Sequence, residues 1–410
     1  MSTEFKNICK RSIICNSKRF HFVILFFLLV FVFFLNCALD GSIARPLNLA
    51  VELESPKFAP QDWQIHTRIP MKYRVLFSWI VKGTWLSFLP NSGAKGFYAA
   101  YLFWSFVFFF ATVIALYYWL RMFDFGKLLS FLGSILFLSS PPVTFAYIYP
   151  VHTREDPLAY LLVILGMIAV FRSQVTAVIL ISILGSLTRE TTLIVPFVYL
   201  FYTKDSLPVK FFVCLVSVSA IIGIRTFFGY QSYNPLVEGW AFNLKRLPET
   251  ILFLFMVYGV LWIPGLAGIY ERWKNRASLS YYWRVLVSST PACLGLILGT
   301  NLILARVREI RIAFLSFPWI IPMCLGWLEA HSSQLKPLLS KRYYWLSVVF
   351  VFLLFYFLFI SIFELTNFGV HLGFFSSKTW RIIGYIHLFL TMVIVLPLLL
   401  KRSFSLADYS

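Results

Sequence analysis

Three short charged clusters interrupt an otherwise apolar chain: Thr153-Arg154-Glu155-Asp156, Thr188-Arg189-Glu190-Thr191 and Arg306-Val307-Arg308-Glu309-Ile310-Arg311. Each sets guanidinium groups beside carboxylates. A carboxylate can take a proton from an attacking group, and a guanidinium stays charged and binds anionic oxygens two at a time. Ionisable groups at membrane depth are costly, so three such clusters in an apolar chain mark a candidate site. The plainer readings are a water-facing loop for Arg189-Glu190 and a headgroup anchor for the basic run 306–311. Arg225, alone near the end of an apolar run, reads as a side chain that reaches the interface.

The elements that must position these groups are apolar helices. The chain has 410 residues, 60% of them hydrophobic, with 45 Phe and a mean hydropathy of +0.79, outside the range of soluble globular chains. The expected class is all-α: one polytopic membrane domain over 20–403, with a basic cytoplasmic tail 1–19 and a short cytoplasmic tail 404–410. Runs long enough to cross a bilayer lie at 20–39, 97–120, 128–149, 209–229, 251–270, 285–304, 312–330, 344–363 and 382–400. Three shorter runs, 158–171, 175–188 and 191–203, bring the expected total to about 12 segments. Interruptions such as Ser139-Ser140-Pro141-Pro142 and the glycines from Gly259 to Gly268 could shape a cavity in such a bundle.

The formal charge of +19 carries no RNA- or DNA-binding motif with it, so nucleic acid is not an expected partner. It reads as topology and contact with anionic membrane lipids. Lys6, Lys10, Arg11, Lys18 and Arg19 place the amino terminus in the cytoplasm by the positive-inside rule. With that orientation most of the 17 carboxylates fall outside, the three clusters among them. Cys9, Cys15, Cys37, Cys214, Cys293 and Cys324 show no paired or metal-ligand spacing, and neither do His66, His152 and His371. No disulfide framework and no metal site are expected.

The loop 40–96 is the largest stretch outside the membrane. In its second half Arg74, Ser78 and Lys82 recur every fourth residue while Val75, Leu76, Trp79, Ile80 and Leu86 take the other side. That pattern predicts an interfacial helix lying on the outer surface.

The order of these elements resembles the GT-C superfamily of multi-spanning glycosyltransferases, in particular the bacterial membrane proteins that look like them. Asp40 follows the first apolar run as the acid of the first external loop does there, and Met71-Lys72-Tyr73-Arg74-Val75-Leu76 looks like the Tyr-Arg-Val-Leu element of that loop. Arg154-Glu155-Asp156-Pro157 is similar to the Asp-Pro that opens a short fourth helix. Thr188-Arg189-Glu190 resembles the Arg-Glu between half-length segments, and Arg308-Glu309-Ile310-Arg311 with Pro318 resembles the Glu-x-Arg before a late helix. One departure stands out: Asp40-Gly41-Ser42 offers a single acid where many of these enzymes carry a pair, which leaves Asp62 and Asp156 as substitutes.

The resemblance implies an enzyme of a bacterial inner or plasma membrane that transfers a sugar from a polyprenyl-phosphate carrier to a glycan, lipid or protein acceptor on the extracytoplasmic face. It implies Asp40, then Asp156, as the catalytic base. Arg189, Arg308 and Arg311, with Arg74 and Arg154 behind them, would bind the carrier phosphate, and Glu190 and Glu309 would orient the arginines. No cofactor is implied, with a divalent cation left open. The alternatives are a transporter or flippase of a lipid-linked saccharide, which would want its charges at the bilayer midplane, and an O-antigen-type polymerase, which usually places its large external loop late in the chain.

Overall fold

A computed structural model describes residues 73–143, 155–229, 236–305, 307 and 310–339, with the single positions 349, 353, 386, 387 and 389. The segments at 20–39, 344–363 and 382–400, the tails, and the loop 40–96 before residue 73 lie outside the described residues, single positions apart. So do Asp40, Asp62, Arg154, Arg306, Arg308, Glu309, Cys9, Cys15, Cys37, His66, His152 and His371.

Among the described residues all regular structure is helical: α1 Val75–Phe88, α2 Gly93–Arg121, α3 Lys127–Leu138, α4 Asp156–Phe171, α5 Val175–Thr188, α6 Ile194–Tyr202 and α7 Leu207–Phe227. A π-helical turn Leu236–Ala241 leads into α8 Phe242–Lys245, followed by α9 Leu247–Tyr258, α10 Trp262–Lys274, α11 Tyr281–Leu304, α12 Ile310–Ala313 and α13 Phe317–Leu339. Five stretches are long and apolar enough to cross a membrane: 99–121, 207–227, 250–274, 281–304 and 310–333. They agree with the sequence expectation at 97–120, 209–229, 251–270, 285–304 and 312–330. The three short runs are separate helices, as their lengths require. Their boundaries follow local signals: Pro157 in the first turn of α4 pre-sets its φ, and Asp156 places a negative charge at the positive end of the helix.

Apolar side chains face outward as well as inward. On α7, Phe211, Leu215, Val218 and Ile222 form an exposed stripe at helical spacing, which is stable only against a non-aqueous neighbour. The same logic corrects the reading of α1. Val75, Ser78, Val81 and Trp85 face inward, while Trp79, Leu86 and Phe88 are exposed. The inward face packs on α2, where Phe77 meets Tyr101 edge-on at 5.1 Å and Trp85 meets Phe97 at 5.8 Å. The large apolar residues of the other face can point to lipid.

α2 and α4 run in the same direction, since Phe109 pairs with Tyr160 and Trp119 with Phe171. The core then continues into the late elements: Trp119 Nε1 donates to the Pro318 carbonyl at 2.9 Å, and Tyr160 stacks edge-on with Phe314 and Phe317. The glycines at 259–268 serve helix termination and close packing. Gly259, at φ +52°, ends α9 in a conformation that suits glycine. A Cβ on Gly268 would stand 2.3 Å from the Met323 carbonyl oxygen, so α10 and α13 approach through their backbones. Gly268→Ala should therefore destabilise the protein by roughly 1–3 kcal/mol, whereas Gly295→Ala, where a side chain meets nothing within 4 Å, should leave the thermal unfolding midpoint in detergent unchanged or slightly raised.

Candidate functional site

Every charged group of the sequence clusters that the structure describes sits at an element end. Arg74 precedes α1, Glu155 and Asp156 open α4, Arg189 follows α5, Glu190 opens the 3-10 turn Glu190–Leu193 before α6, and Arg311 opens α12. The inner layer is a triad in which the Asp156 carboxylate lies between two guanidinium groups. Arg189 Nη1 pairs with Oδ1, and Arg311 Nε stands 3.3 Å from Oδ2. Asp156 and Arg189 are fully buried and Arg311 nearly so.

The outer layer is a chain of ion pairs. Arg74 donates from Nη1 to Glu155 Oε1 at 2.5 Å and from Nη2 and Nε to Glu190 Oε2 at 3.2 and 3.3 Å. Glu190 Oε1 is 3.8 Å from Arg225, whose guanidinium also lies 5.4 Å from the Tyr73 ring centre. Exposure rises outward along this chain, from 5% for the Glu155 side chain through 25% for Glu190 to 40% for Arg225. The inner triad is thus closed off, and the outer end meets solvent.

Local backbone explains the split between neighbours. Arg189 is extended, at φ −165° and ψ 136°, between α5 and the turn. Successive side chains of extended backbone point opposite ways, so Arg189 goes inward and Glu190 outward. The turn is tight: a Cβ on Gly185 would stand 2.5 Å from Thr192 Oγ1, and that hydroxyl donates to the Arg189 carbonyl at 2.7 Å. Arg311 is fixed through its backbone, its carbonyl accepting from Tyr160 Oη at 3.2 Å.

Several expectations change accordingly. Glu190 does not orient Arg189; its partners among the described residues are Arg74 and Arg225. The water-facing reading of Arg189 and the headgroup-anchor reading of Arg311 both fail on burial. Arg225 joins the cluster rather than standing alone. Glu155 and Arg225 take part in the ion-pair chain, although the sequence reading gave neither of them a role in the site. The spacing of Arg225 gave no signal, whereas Glu155 had one in its place beside Asp156.

Burial alone would raise the Glu155 carboxyl, but Arg74, then Arg189 and Arg311, outweigh it and hold the group down to about 2 against an ordinary value of 4.5. Among the described residues no three His, Cys, Asp or Glu side chains converge as metal ligands do.

At the other end of the same helices the charges are mostly basic and interleaved with aromatics. Arg272 lies over the Trp283 ring at 4.1 Å and Lys204 over Tyr281 at 5.1 Å. Trp283 also meets Phe123 and Phe125, and Tyr282 stacks on Phe171. α4 joins the two ends directly, and its 16 residues at 1.5 Å each span about 24 Å.

A scan against protein-family models finds no match, and a search of curated proteins finds no similar chain. Fold and site together define an all-helical protein with helices suited to a membrane and a buried ionic cluster at one end.

Two outcomes are expected of the cluster. Asp156→Asn leaves two buried guanidinium groups around a neutral amide and should cost roughly 3–5 kcal/mol, while Glu190→Gln, partly exposed, should cost about 1 kcal/mol or less; denaturant unfolding in detergent checks both. Because the folded carboxyl of Glu155 titrates below its ordinary value, its contribution is complete above about pH 4.5 and is lost as pH falls toward 2. Glu155→Gln should flatten the unfolding midpoint over that window and leave its shape above it unchanged.

Proposed function

We propose that the cluster binds the phosphate of a lipid-linked sugar and that the protein is a membrane glycosyltransferase acting on the extracytoplasmic face. The observation that supports this reading is the gathering of Arg74, Arg189, Arg225 and Arg311 from four separate parts of the chain around Glu155, Asp156 and Glu190. Four guanidinium groups against three carboxylates leave a surplus positive charge among the described residues. The order of the sequence elements, similar to that of GT-C enzymes, supplies the reaction.

The basic, aromatic end fits the cytoplasmic interface by the positive-inside rule and the aromatic belt. The cluster is then on the outer side. Measured from that belt along α4, about 24 Å, it lies several ångströms short of a ~30 Å hydrocarbon layer. A headgroup drawn slightly into the bundle would meet Arg225 and Arg74 first.

In this reading Asp156 holds Arg189 and Arg311 rather than accepting a proton. A carboxylate enclosed by two guanidinium groups is a poor base, and the acceptor hydroxyl could not reach it. Asp40 takes the role of general base, with Arg308 and Arg154 completing the phosphate contacts and Glu309 orienting its neighbours. Arg74 and Arg225 meet the phosphate charge as the sugar leaves, and Arg311 and Arg189, enclosed behind them, add to the positive field there. The chemistry balances without a redox partner: the acceptor hydroxyl loses its proton to Asp40, its oxygen bonds to the anomeric carbon, and the carrier phosphate departs with the bonding pair.

The test is transfer from a radiolabelled polyprenyl-phosphate sugar by the protein in nanodiscs, with cell-envelope extract as acceptor. Arg74→Lys and Arg225→Lys should each lower the rate about 10²- to 10³-fold, and Asp40→Asn should abolish it. No transfer from any of a panel of polyprenyl-phosphate hexoses and pentoses, or full activity in all three variants, would contradict the proposal.

A further inference from the structure

Asn243 lies outside the charged cluster, on short helix α8, and its side chain is almost completely buried. Its carboxamide uses its full donor capacity on one target, the exit of α11. Nδ2 donates to the Leu302 carbonyl at 2.7 Å and to the Ala305 carbonyl at 2.8 Å, and Oδ1 accepts from the Val307 amide at 3.1 Å. The last carbonyls of a helix have no partner within it. Here one side chain satisfies two acceptors at the helix end and fixes the amide of Val307, three residues beyond it.

The asparagine is itself held. Its own carbonyl accepts from Thr250 Oγ1 at 2.9 Å and from the Arg246 amide at 3.3 Å. The π-helical turn before it lies flush on the same helix end: a Cβ on Gly239 would stand 2.5 Å from the Ile303 carbonyl oxygen and 2.8 Å from the Ala305 nitrogen. Downstream, Val307 and Ile310 are buried, and Arg311 follows.

We infer that Asn243 is a positioning residue: it clamps the 302–307 segment and so sets where Arg311 enters the cluster at Asp156. Three residues lie between the last clamped amide, that of Val307, and Arg311, and Tyr160 holds the Arg311 carbonyl from the other side. The guanidinium therefore hangs from a segment pinned at both ends. The clamp stands on hydrogen-bond geometry alone; its importance for ligand binding rests on the reading of the cluster proposed above.

The test is hydrogen exchange of the full-length protein in nanodiscs, comparing Asn243→Leu and Asn243→Asp with the unaltered chain. Leucine removes all three hydrogen bonds, and aspartate keeps only the acceptor for Val307. In the leucine variant, amides of peptides covering 302–311 should exchange roughly tenfold faster or more, while peptides covering 156–171 and 285–298 change less than about twofold. The aspartate variant, close in volume, should fall between and serves if the leucine variant does not fold. Unchanged exchange at 302–311, or faster exchange spread evenly over all peptides, would overturn the inference.

Binding of polyprenyl phosphate supplies the second arm. Asn243→Asp and Arg311→Lys should each weaken it, and the double variant should be no weaker than Arg311→Lys alone, because both act through one group. Additive losses would show that Asn243 acts elsewhere and overturn its positioning role. If the unaltered protein does not bind polyprenyl phosphate, the proposed function fails, and the exchange result still decides the clamp.

Discussion

The arrangement of the Asp156 carboxylate between Arg189 and Arg311 governs the rest of the molecule. Charges removed from water are costly unless they are paired with good geometry, and here the pairing draws on three distant stretches of chain. α4 must begin where α5 ends and where α12 starts, or at least one of the three charges is stranded. The edge-on packing of Tyr160 on Phe314 and Phe317, and its hydrogen bond to the Arg311 backbone, fix that meeting point from the apolar side. The outer ion pairs of Arg74, Glu155, Glu190 and Arg225 build on it and bring in α1 and α7.

The inner and outer layers have different physical characters. The triad is dry and depends on all its members; the outer chain becomes progressively more exposed and so weaker and more easily exchanged for a ligand. In the proposed function, an anion arriving from outside would compete with Glu190 for Arg74 and Arg225. Rigidity inside with exchangeable contacts outside is an arrangement suited to binding a headgroup without unfolding its support.

Much of this was legible in the sequence, and the reasons are physical. Apolar runs of about 20 residues mark helices wherever they occur, and charged clusters that interrupt apolar runs identified Asp156, Arg189 and Arg311 because such groups are rarely placed in apolar surroundings without cause. The pairing was not legible. Glu190 stands next to Arg189 in the chain yet faces away from it, because the backbone there is extended. Arg225 shows no motif; it reaches Glu190 only because α7 returns to the same end. The face of α1 was misread because the amphipathic rule assumes water on the outside, and lipid inverts it for Trp79 and Leu86. Asn243 carries no sequence signal at all, since a capping role is defined by what lies across the fold.

The central claim is that the ionic cluster and the basic, aromatic belt lie on opposite sides of a membrane, with the cluster outside. Single cysteines at Thr226 and Arg276, both exposed and both outside the cluster, in a protein without its native cysteines, test this with a membrane-impermeant thiol reagent. The account expects position 226 to be labelled in intact cells and position 276 only after permeabilisation. Labelling of both from one side, or of 276 alone from outside, would contradict it.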